Sequence, residues 1–187
     1  MPDVFIEFIN PTEEVSMYEK SIKPLNQAVA EELSGIHQYM YFHFHCDDQG
    51  FDLLANLFKK TAIEEMIHIE RLAERILFLK GDVEMQASNK AEKIHNVKDM
   101  LIAAKSMEED SIKLYNELSI ECGSTNADSV SRKLLEELVM DEERHFGQFD
   151  TEWENLNKFG DQYLALQSIE RSKMLSTQTV GNLTTPI

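Results

Sequence analysis

Two glutamate–histidine pairs with the same spacing are the residues of this sequence best suited to chemistry. Glu65 and His68 lie three residues apart, and Glu142 and His145 repeat that spacing further along the chain. On a helix this spacing places both side chains of a pair on one face. A carboxylate and an imidazole on one face are typical ligands of a transition metal ion.

Each pair lies on the apolar stripe of an amphipathic helical pattern, where a charged side chain needs a reason. Around both pairs, apolar and small residues recur at spacings of three and four. The first stripe contains Leu54, Phe58, Thr61, Leu72, Ile76 and Leu79, and the second contains Leu135, Leu138, Phe149, Trp153 and Leu156. Both pairs are therefore expected to lie inside the protein.

One further glutamate on an apolar stripe precedes each pair at almost the same distance. Glu32 lies 33 residues before Glu65, and Glu108 lies 34 residues before Glu142. Glu109 is the alternative to Glu108, but the helical face that it shares is much more polar. The chain is thus an internal duplication of the order Glu, then Glu-x-x-His.

Four helices that carry this order build a carboxylate-bridged pair of metal ions inside a bundle. A single Glu-x-x-His would more often be a surface or capping pair, and the duplication is what favours the metal site. Four buried carboxylates without counter-charge would each cost on the order of several kcal/mol or would take up protons. Two iron ions supply that charge, and iron is favoured over zinc because this mixed ligation with open positions suits Fe(II). The predicted ligands are Glu32, Glu65, His68, Glu108, Glu142 and His145, with Glu65 and Glu142 as bridges and Glu32 and Glu108 as terminal ligands.

Composition predicts a globular all-α protein with one domain. The chain has 187 residues, of which 28% are charged and 42% hydrophobic, and it contains only 7 Gly and 4 Pro. Its 34 acidic and 18 basic side chains give a net charge of −16, which argues against a nucleic-acid partner and favours cations. No 18-residue apolar stretch and no basic leader segment are present, so we expect a cytoplasmic protein without a membrane partner.

Periodicity and capping signals predict four long helices, at about residues 22–46, 52–80, 96–122 and 128–159. A lead-in helix ending near residue 20 and a short fifth helix at about 162–174 are also predicted. The first two long helices are antiparallel because the turn between them is short. Residues 81–95 have no clear period, and at about 3.3 Å per residue they reach about 50 Å. This connection can travel the length of the bundle and make the third helix parallel to the second.

The duplication extends beyond the predicted ligands, since the first and third helices both read Glu-x6-Tyr-x6-Cys. The two sets are Glu32, Tyr39 and Cys46, and Glu108, Tyr115 and Cys122. We expect Tyr39 to donate a hydrogen bond to a ligand carboxylate, whereas plain core packing is as good an interpretation for Tyr115. The two cysteines are expected at opposite ends of the bundle as reduced core residues. His43 and His45 lie on different faces and do not form a ligand pair.

Three segments of the chain resemble bacterioferritins. They are EELSGIHQYM at 31–40, AIEEMIHIERLAERILFLKG at 62–81 and LLEELVMDEERH at 134–145. The likeness extends from about Ser21 to the end of the predicted fifth helix. It implies a ferritin-like four-helix bundle with one long crossover connection, in which the six predicted ligands form a ferroxidase centre assisted by Tyr39. It also implies a hollow shell of 24 subunits that oxidises Fe(II) with dioxygen or hydrogen peroxide and stores the ferric product.

The resemblance further implies a haem-type porphyrin between two subunits, held by one methionine from each. Met66 lies at the matching position. One residue beyond Glu65 is a rotation of about 100° on a helix, so Met66 points away from its own bundle. Without the family likeness, an ordinary interface methionine would be the better interpretation. The second copy has Glu143 at this position, so only the face of the second helix is expected to bind porphyrin.

The predicted organisation is an N-terminal extension over residues 1–20, a ferritin-like di-iron bundle over residues 21–176 and a flexible tail over residues 177–187. Two other functions remain open, a Dps-like cage of twelve subunits that removes peroxide and a rubrerythrin-like peroxidase. The first usually shares its metal site between two subunits, whereas this chain carries a full set of ligands. The second uses a Cys-x-x-Cys electron-transfer module that this sequence lacks.

Overall fold

Four long helices form a bundle in this structure, which is a computed structural model that describes residues 16–166 and residue 169. The helices are α1 (Ser16–Asp48), α2 (Asp52–Phe78), α3 (Val97–Ile120) and α4 (Ser129–Phe159). A π-helical turn at Glu121–Thr125 follows α3, residues 161–166 are helical, and no strand occurs within 16–166. The all-α prediction is confirmed. Most of the predicted fifth helix, the predicted tail and residues 1–15 lie outside the described residues.

The start of α1 differs from the prediction. A break between a lead-in helix and the first bundle helix was expected near residue 20, but α1 runs without interruption from Ser16 through Pro24. Proline removes one helical hydrogen bond and normally disfavours the helix interior. Here Pro24 is itself buried, and the neighbouring Leu25 and Ala28 are fully buried in the core. Packing of this turn therefore outweighs the lost hydrogen bond.

The end of α2 also differs in detail. The amide of Gly81 donates to the carbonyl of Ile76 at 2.9 Å, which is a Schellman type of helix end. The residue with the left-handed backbone is Lys80, at φ 64°, although glycine is the usual residue at such a position. Gly81 is required for another reason, because a Cβ atom there would lie 2.7 Å from the side chain of Ile22.

The connection between α2 and α3 runs along the length of α1, as predicted. Near the start of α1, Asn26 donates to the carbonyl of Asp82 at 2.9 Å and accepts from the amide of Glu84 at 2.9 Å. Further along, Gln38 donates to the carbonyl of Glu92 at 3.1 Å and accepts from its amide at 2.7 Å. The connection therefore ends near the C-terminal end of α1, and α3 runs parallel to α2.

The apolar core consists of two clusters, one toward each end of the bundle. The first includes Leu25, Ala28, Leu72, Ile76, Tyr115, Leu118, Leu135 and Leu138. The second includes Tyr39, Phe42, Leu54, Phe58, Met100, Leu101, Phe149 and Leu156. On every helix the predicted metal ligands lie between the residues of the two clusters, so the site occupies the middle of the bundle.

The two cysteines lie in different clusters, Cys46 in the second and Cys122 in the first. Both are completely buried, and neither forms a disulfide within the described part of the chain. Burial raises the pKa of Cys46 to about 12 and that of Cys122 to about 11. They are therefore protonated, weakly reactive core residues, and the predicted placement at opposite ends is confirmed.

A buried ion pair joins the start of α4 to α2. Asp128, only 5% exposed, accepts hydrogen bonds from the amide of Ser131 at 3.1 Å and from the guanidinium of Arg75 at 2.6 Å. The hydroxyl of Ser131 donates to Asp128 at 2.6 Å. Burial alone would raise the pKa of Asp128, but these hydrogen bonds and the charge of Arg75 lower it. The aspartate thus both caps α4 and fixes the contact between α2 and α4.

We predict that Asp128→Ala lowers the free energy of unfolding of the metal-free protein by about 2 kcal/mol, because it removes a helix cap and leaves a mostly buried arginine without its carboxylate partner. Asp128→Asn keeps a cap and should lose less. Since the folded-state pKa is lowered, the contribution is present above the unfolded pKa of about 3.9 and is lost as the pH falls through the folded pKa. Urea unfolding at several pH values measures both effects.

The matched control is Asp110→Ala, which removes an exposed ion pair with Lys113 at 3.2 Å. An exposed pair of this kind contributes less than about 1 kcal/mol. Equal losses for the two alanine variants would contradict the structural role of Asp128.

Candidate metal centre

The six predicted ligands meet in the middle of the bundle, and each is 3% exposed or less. One comes from α1, two from α2, one from α3 and two from α4. They form two groups, in each of which one ligand atom per residue lies within 4.8 Å of the others. The first group is Glu32, Glu65, His68 and Glu142, and the second is Glu65, Glu108, Glu142 and His145. Glu65 and Glu142 belong to both groups.

In the first group, three carboxylates surround one imidazole nitrogen. The Nδ1 atom of His68 lies 2.9 Å from Glu65 Oε2, 3.2 Å from Glu142 Oε1 and 3.3 Å from Glu32 Oε1. Glu32 belongs to this group alone. This group therefore contains one carboxylate and one imidazole of its own, together with two carboxylates that also belong to the second group.

The second group repeats this arrangement around His145. Its Nδ1 atom lies 3.3 Å from Glu65 Oε1, 3.2 Å from Glu142 Oε2 and 4.0 Å from Glu108 Oε2. Both Glu65 and Glu142 therefore direct one oxygen toward each histidine. The ring centroids of His68 and His145 are 6.0 Å apart. Two carboxylates that each face two imidazoles are suited to bridge a pair of metal ions.

Unsatisfied polar atoms mark the same place. Glu65 Oε2, His68 Nδ1 and Glu142 Oε1 are buried and have no hydrogen-bond partner among the described residues. They approach one another closely but are not oriented for hydrogen bonding. Buried polar atoms without partners are rare because each one costs free energy. Four carboxylates and two imidazoles around these atoms fit a pair of divalent cations.

The pKa values of the terminal carboxylates show how much negative charge is crowded here. Burial and the charges of Glu65 and Glu142 raise the pKa of Glu32 well above its usual range. The same causes raise the pKa of Glu108. Without a metal ion, these two carboxyl groups favour the protonated form.

The histidines show the opposite effect of the same charges. Burial would lower the pKa of His145, but its contacts with Glu142 and Glu65 raise it to about 10. Contacts with three carboxylates also raise the pKa of His68 above its ordinary value, against the effect of burial. Burial would raise the pKa of Glu142, yet the two imidazoles hold it at about 2. Imidazolium cations thus compensate the carboxylates in the metal-free protein, and metal ions must displace their protons.

Two tyrosines hold the terminal carboxylates from the opposite helix. Tyr39 on α1 donates to Glu108 Oε1 on α3 at 2.5 Å, and Tyr115 on α3 donates to Glu32 Oε1 on α1 at 2.8 Å. The contact of Tyr39 is the one expected from the sequence. The contact of Tyr115 decides between its two interpretations, since its hydroxyl serves the site as well as packing in the core. The four residues therefore fix α1 and α3 to each other across the site.

Two acidic residues near the site were not predicted from the sequence. Glu64 Oε2 lies 2.6 Å from His145 Nε2, and Asp141 Oδ2 lies 3.4 Å from His68 Nε2. Each acid thus contacts the outer nitrogen of the histidine on the other helix. The available signal was the acid that directly precedes Glu65 and Glu142 in both copies. Such outer contacts orient a metal-binding imidazole and select its protonated nitrogen.

Met66 lies outside the centre. Its side chain is 50% exposed on the outer face of α2, beside Ile63 at 43% and Ile67 at 50%. His43 is also separate from the site, and its Nδ1 atom lies 2.9 Å from the carbonyl oxygen of Ala55. His45 packs instead against Tyr41.

Comparison with known proteins finds sequences similar to most of this chain. The family model described as ferritin-like domain matches residues 22–159. The bacterioferritin of Desulfovibrio desulfuricans is 34% identical over 146 residues, which are 78% of this chain and 81% of that protein. The bacterioferritin of Rhodobacter capsulatus is 33% identical over 148 residues, which are 79% of this chain and 91% of that protein.

Solved structures of the same two proteins are similar in three dimensions. The D. desulfuricans bacterioferritin, studied for its di-iron site in different catalytic states, has a TM-score of 0.80 at 32% identity, with 82% of this chain and 90% of that chain covered. The R. capsulatus bacterioferritin, with a metal-free dinuclear site and haem iron, has a TM-score of 0.76 at 31% identity, with 80% of this chain and 93% of that chain covered.

We predict that Tyr39→Phe and Tyr115→Phe each lower the free energy of unfolding of the metal-free protein by about 1–2 kcal/mol, because each leaves a buried carboxyl oxygen without its donor. Urea unfolding measures the change. Tyr41→Phe is the control, since its hydroxyl contacts His95 at 2.8 Å in an exposed position, and it should lose less than about 0.5 kcal/mol. An equally large loss in Tyr41→Phe would mean that the hydrogen bonds at the site stabilise the fold no more than an exposed one does.

Proposed function

Since the chain belongs to the bacterioferritin family, we propose that it is a ferroxidase that oxidises Fe(II) and stores the ferric product in a hollow shell. The observation that carries this proposal is the pair of ligand groups that share Glu65 and Glu142 within a single chain. Shared carboxylates bring two substrate ions together, so that both can react with one oxidant. Two Fe(II) ions release two electrons, and one molecule of dioxygen or hydrogen peroxide accepts them.

In this proposal each residue has a separate role. Glu32 and Glu108 are terminal ligands, held by tyrosine hydroxyls. His68 and His145 each give one nitrogen to a different Fe(II). Four carboxylates balance the four positive charges of two Fe(II) ions, so the bound pair needs no further counter-charge. Protons leave the two imidazoles when Fe(II) binds, which makes binding weaker at low pH.

We predict that the double variant Glu65→Ala and Glu142→Ala loses the rapid phase of Fe(II) oxidation, because both shared ligands are absent. Its helical content should not fall, since removing buried carboxylates relieves repulsion in the metal-free protein. Stopped-flow absorption and circular dichroism measure the two properties.

The matched control is Glu70→Ala with Glu143→Ala, which removes two exposed glutamates from the same two helices. It should oxidise iron as the wild type does. A wild-type initial rate in the Glu65 and Glu142 double variant would overturn the di-iron assignment.

The proposal includes a haem-type porphyrin at the interface of two subunits, held by Met66 from each. Support comes from Met66, a residue half exposed among other exposed apolar residues on α2, including Ile63 and Ile67. The R. capsulatus relative, which this chain resembles, contains haem iron. The matching position on α4 is Glu143, which is exposed and cannot supply a thioether.

We predict that Met66→Ala yields protein without a Soret band but with the fast oxidation phase intact, because the thioether and the metal ligands lie on different faces of α2. Absorption spectra of the purified protein measure haem content. Met140→Ala is the control, since that methionine is 70% exposed on α4. An unchanged Soret band in Met66→Ala would mean that porphyrin, if bound, is held elsewhere.

Assembly into a 24-subunit shell in the cytoplasm, and an electron donor that reduces stored iron for release, complete the proposal. Two-fold dimers formed through the outer face of α2 would be its building unit. The net charge of −16 favours Fe(II) as cargo and disfavours nucleic acid as a partner. Within the described residues, no helix is long and apolar enough to cross a membrane.

The two alternative functions are not favoured. A Dps-like cage usually builds its metal site from two subunits, whereas both ligand groups here come from one chain. A rubrerythrin-like peroxidase needs a cysteine module for electron transfer. The only two cysteines of the sequence are buried in separate apolar clusters, so they cannot form one.

A further inference from the structure

A single arginine forms hydrogen bonds to both acids that contact the Nε2 atoms of the two histidines. Arg144 Nη1 donates to Glu64 Oε2 at 2.9 Å, and its Nη2 donates to Asp141 Oδ1 at 3.0 Å. Glu64 contacts the outer nitrogen of His145, and Asp141 contacts that of His68. One guanidinium therefore touches both acids that lie behind the two imidazoles.

These residues form a partly exposed layer over a buried site. The side chains of Glu64, Asp141 and Arg144 are 23%, 34% and 42% exposed, whereas those of His68 and His145 are 4% and 0% exposed. Glu64 lies on α2, and Asp141 and Arg144 lie on α4. Arg144 thus also links the two helices that supply the bridging carboxylates.

The internal duplication does not extend to this arginine. The residue before His145 is Arg144, whereas the residue before His68 is Ile67, which is 50% exposed. The acids themselves are duplicated, since Glu64 and Asp141 hold matching positions. One guanidinium suffices for both because its two terminal nitrogens reach one acid each.

We propose that Arg144 is a positioning residue of the metal centre. Its hydrogen bonds to Glu64 and Asp141 fix the rings of both histidines, and this sets the affinity for divalent cations. This inference rests on the proposed function. Partners of a metal-binding histidine orient the ring, and removing them typically weakens metal binding about 10- to 100-fold. A planar guanidinium can hold two carboxylates in fixed directions, whereas the compact ammonium group of lysine cannot.

The positive charge of Arg144 has a second effect of opposite sign, because it repels an incoming divalent cation. If repulsion dominated, removing the charge would strengthen binding, and lysine would behave as arginine does. The geometry favours positioning, since Arg144 makes close hydrogen bonds to both acids. The other cations are more distant, with Lys60 at 3.7 Å from Glu64 and Arg71 at 3.8 Å from Asp141.

The test uses the full-length protein without iron, titrated with Co(II) under anaerobic conditions. Calorimetry gives stoichiometry and affinity, and visible absorption reports the coordination of Co(II) independently of any oxidation. The variants are Arg144→Lys, which keeps the charge, and Arg144→Gln, which removes it. Arg132→Gln is the matched control, because Arg132 is an exposed residue of α4 paired with Glu136 at 2.7 Å. The thermal midpoint of each metal-free variant checks the fold.

Both Arg144 variants should bind Co(II) about tenfold more weakly, with an altered visible spectrum and a thermal midpoint close to that of the control. Wild-type affinity for Co(II) in both variants would overturn the inference. Wild-type affinity in Arg144→Lys together with tighter binding in Arg144→Gln would also overturn it, because repulsion by the charge would then dominate. A cycle with Glu64→Gln gives an independent check, since additive losses would mean that Arg144 does not act through Glu64. If the wild-type protein bound no Co(II) at all, the proposed function itself would fail.

Discussion

Four carboxylates buried in the middle of an apolar bundle are the constraint on which the rest of this structure depends. Burial and mutual repulsion raise the pKa of Glu32 and Glu108, while the imidazoles lower the pKa of Glu142. The metal-free protein tolerates the site because protons take the place of metal charge, on the carboxyls and on both histidines. The same crowding creates the affinity for cations, since divalent ions relieve repulsion that the fold cannot otherwise remove.

The apolar clusters above and below the site make this burial possible. They hold all four helices on both sides of the charged layer, so the layer cannot relax by separating the helices. Within the layer, Tyr39 and Tyr115 hold Glu108 and Glu32 by hydrogen bonds, and Glu65 and Glu142 face each other from α2 and α4. The ion pair of Asp128 with Arg75 holds these two helices where α4 begins. Packing and hydrogen bonding together determine the distances between the ligands.

The residues that each helix buries could be predicted from the sequence, because they recur with the helical period. Glu108 was preferred to Glu109 because its face is apolar, and the structure has Glu108 buried and Glu109 exposed. Contacts between helices are different, since they depend on how the helices are rotated and shifted against each other. The contacts of Glu64 and Asp141 with the opposite histidines were therefore not predicted, although the acids themselves are duplicated. Local rules also failed at Pro24, where core packing keeps the helix intact.

The internal duplication is clearest at the residues that surround the metal centre. Each of the two ligand groups contains one carboxylate of its own, one imidazole and two shared carboxylates, and the six predicted ligands hold matching positions in the two halves. The outer faces are free to differ, because nothing in the site requires them to be equal. Met66 on α2 corresponds to Glu143 on α4, and Arg144 on α4 corresponds to Ile67 on α2. The two halves thus supply similar ligands to the interior and different residues to the surface, so the outer faces of α2 and α4 differ in chemistry although their inner faces serve one site.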